Sequence, residues 1–179
     1  MSNTTQSGHL ILTVIGDDKP GLVEELATAI SAHGGNWLEA SMAQLSGKFA
    51  GIVRISLPED QVAALQAALG ALPGLRVHAE NAGEDAPKRE MRRLKLSLVG
   101  HDRVGIVREV SQVLARHAVN VEDLSTRTAS APMSADLLFH ATAELTAAPT
   151  LDALALIADL ERLSNDLMVD INLDETIRT

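Results

Sequence analysis

A 23-residue pattern occurs twice in this chain. "VIGDDKPGLVEELATAISAHGGN", Val14 to Asn36, returns 84 positions later as "LVGHDRVGIVREVSQVLARHAVN", Leu98 to Asn120. The two align without a gap. Gly16, Asp18, Gly21, Val23, Glu25, His33 and Asn36 meet Gly100, Asp102, Gly105, Val107, Glu109, His117 and Asn120, and Lys19 meets Arg103. A doubled pattern this long makes the chain two copies of one supersecondary unit. The 179 residues then divide into units of about 80 to 90 residues, the scale of small domains. The spacing sets a first domain over 1–82, a linker over 83–91 and a second domain over 92–179.

The order of elements within a copy follows from apolar periodicity and its breaks. "HLILTVIG" is a short apolar run ending in glycine, and reads as a strand. A helix is expected from Pro20 to His33, because Leu22, Val23, Leu26, Ala29 and Ile30 recur at helical spacing and Gly34–Gly35 stops it. "NWLEASMAQLSGKFAGIVRISL" reads as two strands joined near Ser46–Gly47. Pro58, Glu59 and Asp60 open a second helix that runs to Pro73–Gly74, and "LRVHAE" is a last strand. The polar "NAGEDAPKRE" is a linker. The same order then returns, with a helix from Val104 to His117, another near Leu151 to Leu163, and a longer hairpin loop, "ASAPMSA". The fold class is α+β: two ferredoxin-like βαββαβ domains, antiparallel sheets with helices on one face. Sheet edges and free faces favour pairing of units, with a homodimer as one way to achieve it.

Composition excludes several function classes. Hydrophobic residues make up 46% of the chain but only Trp37, Phe49 and Phe139 are aromatic, so the core is aliphatic. A formal charge of −9 argues against direct nucleic-acid binding. The basic run "KREMRR", Lys88 to Arg93, reads as a solvated linker or strand start. The absence of cysteine excludes disulfides and thiolate catalysis. No signal-peptide core and no membrane-length apolar run is present, which leads to the expectation of a cytoplasmic protein with no membrane partner.

Each copy leaves its first strand through Gly-x-Asp-x-x-Gly and enters a helix. The first N–H groups of a helix lack internal partners and carry the positive dipole end, which suits a carboxylate. Asp18 and Asp102 stand beside them as acceptors, so the pair of features matches a zwitterion, a free amino acid. Asn36 and Asn120 can donate and accept, and either could complete the ring. A purely structural reading stands beside this one: Asp as an N-cap, Gly as a turn, Asn as a left-handed C-cap. His33 and His117 close their helices, where the dipole favours them. No His-x-x-x-His, third glycine or Gly-Lys-Ser/Thr occurs, so metal, dinucleotide and P-loop sites are not expected. Ser41 and Ser125 lack the Gly-x-Ser-x-Gly setting, and Glu24, Glu25 and Glu109 read as exposed helix residues. No catalytic trio is visible, so no enzyme and no cofactor is expected.

These residues carry a resemblance. "GDDKPGLVEELATAISAHGGN" and "GHDRVGIVREVSQVLARHAVNVEDLSTRT" each resemble the start of an ACT domain, a small regulatory module that binds amino acids. "MAQLSGKFAGIVRISLP" and "TRTASAPMSADLLFHATAEL" resemble the tandem-ACT family of glycine cleavage system transcriptional repressors. The resemblance implies a repressor that senses glycine or a related amino acid and acts by contact with a DNA-binding transcriptional activator. An alternative is a stand-alone ACT regulatory subunit controlling a metabolic enzyme on another chain. It further implies a ligand at an interface between units, touching Asp17, Asp18, Lys19, Pro20, Gly21, Leu22 and Asn36 in the first copy. In the second copy the implied residues are Asp102, Arg103, Gly105, Ile106 and Asn120. The family's loop proline is present as Pro20, but Val104 stands at its counterpart.

Overall fold

A computed structural model describes residues 7–82, 90–131, 136–163, 165 and 167–178. By its internal contacts the chain divides into two compact units, residues 1–86 and 87–179. In the first, β1 (Ser7–Asp17), α1 (Leu22–Ala32), β2 (Asn36–Leu45), β3 (Lys48–Pro58), α2 (Val62–Gly70) and β4 (Leu75–Asn81) follow in order, with a 3-10 turn at Glu59–Gln61. In the second, β5 (Glu90–His101), α3 (Ile106–Arg116), β6 (Asn120–Ser130), β7 (Leu137–Ala147), α4 (Ala153–Glu161) and β8 (Met168–Arg178) do the same. The sheets have the order β2-β3-β1-β4 and β6-β7-β5-β8, antiparallel throughout. This is the ferredoxin-like βαββαβ arrangement, twice.

Strand alternation decides which face is covered. Leu10, Leu12 and Val14 are buried, with Val53, Ile55 and Leu57 beside them on β3 and Leu22, Leu26, Ile30, Leu65 and Leu69 from the two helices above. Ile15 and Ile52, on the other face, stay exposed. The second unit repeats this with Leu94, Leu96 and Leu98 against Ile106, Val110, Leu114, Leu156 and Leu160. Both helices of each unit therefore lie on one face of its sheet, and the opposite face is uncovered within that unit.

Several boundaries differ from the periodicity. The helices begin at Leu22 and Ile106, two residues later than expected, because Gly21 and Gly105 take positive φ and act as N-caps. Pro20 thus lies in the turn, not in the helix. The residues from Glu90 to Arg93 belong to β5, so the strand takes in the end of the expected linker, whose residues 83–89 lie outside the described set. Arg92 has a structural task there, donating to the carbonyls of Pro149 and Leu151 at 3.4 and 3.3 Å. The β2–β3 turn matches its sequence: Ser46 and Gly47 have φ of 50° and 77°, the positive pair a two-residue hairpin prefers. Most of "ASAPMSA" lies outside the described residues. The outer strands β2 and β6 are exposed along most of their length. Each breaks register near its start, between Trp37 and Glu39 and between Val121 and Asp123.

Candidate functional site

The turn from β1 into α1 is built around backbone, not side-chain caps. Gly21 and Gly105 have φ of 95° and 92°, a region that glycine enters freely. No side chain caps α1 or α3. Asp18 and Asp102 are therefore not N-caps; both carboxylates stand exposed beside the turn. Their own N–H groups are committed, Asp18 donating to the Gly47 carbonyl and Asp102 to that of Leu137, each at 2.9 Å. Each loop is so tied to the hairpin of its unit. Leu22 and Ile106 turn their side chains into the core, leaving only backbone N–H groups to offer a ligand. Pro20 and Val104 are exposed.

Lys19 and Arg103 fold back onto their helices. Lys19 Nζ lies 3.4 Å from Glu25 Oε1, and Arg103 Nη2 lies 2.6 Å from Glu109 Oε2. Arg103 also donates to the Leu163 carbonyl at 3.3 Å. The Arg103 hydrogen bond holds the Glu109 carboxyl below its usual range. Glu25 and Glu109 are thus clasps on the loop rather than solvated helix residues. The available signal was a basic residue followed six positions later by Glu, in both copies.

The loop end of the first sheet holds charges that spacing alone does not bring together. Lys48 opposes Asp17 across β3, and Arg76 opposes Ile15 across β4. Direct cross-strand partners share a face, so Ile15, Asp17, Lys48 and Arg76 form one cluster on the uncovered side. They line a groove of about 570 Å³, counting its open mouth, with Gly16 and Gly74 also at its wall. Gly16 is obligatory there: a Cβ would meet the Gly74 carbonyl oxygen at 2.2 Å. Lys48 donates to Asp17, and this bond, reinforced by its charge and that of Arg76, lowers the Asp17 pKa despite some desolvation. The register places Val99, His101, Leu138 and Met168 at the same four positions of the second unit.

Asn36 and Asn120 do not join the loops of their own units. Asn36 opposes Ser56, which opposes His9, whereas the loop leaves β1 at Asp17. Eight residues of strand, from His9 to Asp17, separate the two, or about 26 Å at the usual rise. Asn120 is displaced identically, through Thr146 and Arg93 against His101. Neither Asn is a left-handed cap: Gly34 and Ala118 take the positive φ after the helices instead.

The matched histidines are used differently. The His33 ring bonds the Ala29 carbonyl at 2.8 Å, closing its own helix. His117 Nε2 instead meets Asp159 Oδ2 of α4 at 2.8 Å, and that contact is the main cause of a lowered Asp159 pKa. Among the described residues no group of three His, Asp or Glu is arranged to hold a metal, and no helix is long and apolar enough to cross a membrane.

Comparison with known proteins agrees with this geometry. Two models of the ACT domain match the chain, over residues 8–74 and 95–155. A crystal structure of an unknown protein from Galdieria sulphuraria is 30% identical, with 96% of this chain and 99% of that one covered and a TM-score of 0.81. A structure bearing the name of a glycine cleavage system transcriptional repressor aligns over 94% of this chain and 98% of its own. Its TM-score is 0.68 and its identity 18%, a likeness of fold. No curated protein sequence matches. The doubled strand-turn-helix, the twin βαββαβ sheets and the two model matches lead to one statement: the chain belongs to the ACT-domain family, with two ACT domains in tandem.

Proposed function

We propose that the chain is an amino-acid-sensing regulator that acts by contact with a second protein. The observation that carries this is the β1–α1 turn, found in both units: a helix N-terminus with no side-chain cap, beside an exposed aspartate. Backbone donors next to a carboxylate are complementary to the two ends of a zwitterion. The residues that would contact it are Asp17, Asp18, Lys19, Pro20, Gly21 and Leu22, with Asp102, Arg103, Gly105 and Ile106 in the second unit. Asn36 and Asn120 can take part only for a ligand that also touches the loop of a different ACT domain. Binding then biases whatever arrangement of domains it bridges, by no more than its difference in affinity between arrangements.

Two partner classes follow. As a stand-alone regulatory subunit, the chain controls a metabolic enzyme on another polypeptide. The two ACT matches span most of the sequence and the net charge of −9 disfavours DNA, both of which support action through protein. As a glycine cleavage system repressor, it contacts a DNA-binding activator; the name of the structural relative aligned over its full length favours that second reading. Co-purification from cell extract separates them. A metabolic enzyme whose activity changes on addition of the chain supports the first, and a helix-turn-helix regulator supports the second. A thermal-shift screen of the common amino acids at millimolar concentration tests the sensor itself, because a ligand of the folded state raises apparent stability. No shift with any of them would end the amino-acid reading.

A further inference from the structure

The loop end of the first sheet holds a set of groups that the turn alone does not supply. Arg76 forms no hydrogen bond or ion pair among the described residues, and it stands on the uncovered face with Asp17 and Lys48. Lys48 already serves Asp17. The guanidinium is therefore the uncommitted cation of the cluster, and its planar fork matches a carboxylate with two parallel bonds. Asp17 keeps a second oxygen for an ammonium group. Exposed Ile15 lies between them as a small apolar floor. Arg76 opposes Ile15 on one side of β1 and Lys48 opposes Asp17 on the other, so the groove spans three strands. An anion hook, a cation acceptor and an apolar patch within one groove fit one chemical class, a small α-amino acid.

We propose that this groove is an amino-acid site, with Arg76 holding the ligand's carboxylate and Asp17, steadied by Lys48, its ammonium, and that it exists in the first unit alone. The second unit has Leu138 for Lys48, Met168 for Arg76 and His101 for Asp17, a set with neither a lysine nor an arginine for a carboxylate and no acid for an ammonium. The site rests on the amino-acid reading above, but it assigns residues of β3 and β4 that neither the turn motif nor the family resemblance includes. It also answers the displacement of Asn36. Within one unit the group able to complement the turn is Arg76, not an asparagine at the far end of the sheet.

Titration calorimetry on the intact chain tests this, using the amino acid that gives the largest thermal shift and its methyl ester, which lacks the anionic carboxylate. Wild type should bind one equivalent per chain and prefer the acid over the ester at least tenfold. Arg76→Leu should weaken the acid at least tenfold and bring acid and ester to the same affinity. Arg76→Lys should recover part of the preference. Met168→Ala, at the position of the second unit that matches Arg76, should leave both affinities unchanged. Arg76 is an exposed residue of an edge strand, and circular dichroism of each variant confirms its folding. If no amino acid binds wild type, the sensor reading and this site fall together. If the acid binds but Arg76→Leu retains the same acid-to-ester preference, the sensor reading stands and this site is wrong. Two equivalents per chain, or an equal loss in Met168→Ala, would overturn the restriction to the first unit.

Discussion

The two units share a backbone plan and differ in what they do with it. At the loop end of the sheet the first carries Ile15, Asp17, Lys48 and Arg76, and the second Val99, His101, Leu138 and Met168. On the uncovered face, Ile11, Ile52 and Arg54 of the first stand where the second has Lys95, Thr142 and Glu144. Between the helices, Asp159 receives His117 in the second unit, while Ala68 occupies the matching place on α2. The shared features are the ones the fold needs: buried leucines, a left-handed glycine before the helix and a clasp from loop to helix. The divergent ones all lie where no core constrains them. Duplicated domains can therefore keep one fold while the chemistry they expose diverges.

The largest test of this comparison is a pair of core truncations. Leu65 and Leu156 occupy matching, fully buried helix positions, so Leu65→Ala and Leu156→Ala should each destabilise their unit by about 2–5 kcal/mol. Trp37 is the only tryptophan, so its fluorescence reports the first unit alone. In urea, Leu65→Ala should move the fluorescence transition. Leu156→Ala should move part of the circular-dichroism transition and leave fluorescence in place. Coincident shifts in both variants would show that the units unfold as one.

A smaller effect concerns backbone. Gly21→Ala and Gly105→Ala should each lose about 1–2 kcal/mol, because a Cβ is disfavoured at positive φ. The units differ at the other end of the helix, where Gly34 of the first is matched by Ala118 at φ 53°. Ala118→Gly should therefore stabilise the second unit, by up to about 1 kcal/mol, in the same urea titration. Gly34→Ala should do the reverse in the first.

The smallest effect is pH-dependent. Asp159 has a depressed pKa, so its stabilising contribution is complete above the unfolded value, near pH 4, and is lost as pH falls through the lower folded value. Asp159→Asn should make the second unit less sensitive to acid below about pH 4, measured by melting temperature against pH. Glu109 leaves a residual slope there, and Asp17 gives the first unit a slope of its own. A fluorescence-detected transition that also flattens in Asp159→Asn would contradict the assignment to the second unit.

Much of the fold was legible because apolar periodicity and turn residues are local. Ser46–Gly47 announced the hairpin, and Gly34–Gly35 ended α1 where glycines should. The start of α1 was misplaced by two residues because a proline in the first turn and a proline before a glycine cap look alike in sequence, and α3 was placed by its match to α1. The turn was legible as a candidate site, since Gly-x-Asp-x-x-Gly is contiguous and doubled. Lys48 and Arg76 were not, because their nearness to Asp17 is set by strand register across three separate segments. Asn36 seemed part of the ring for a related reason. Its position just after the helix suggested proximity to the turn, but the helix returns the chain to the opposite end of the sheet.

The register breaks in β2 and β6 bear on a different hazard. Each outer strand offers a row of backbone donors and acceptors that a foreign chain could copy, one rung at a time. An irregularity near the strand's start twists it and spoils a flat template. Glu39 and Asp123, placed immediately after those irregularities, put a negative charge where a growing fibril would need its first clean rung. A protein with two such borders stays open to chosen associations while resisting indiscriminate stacking.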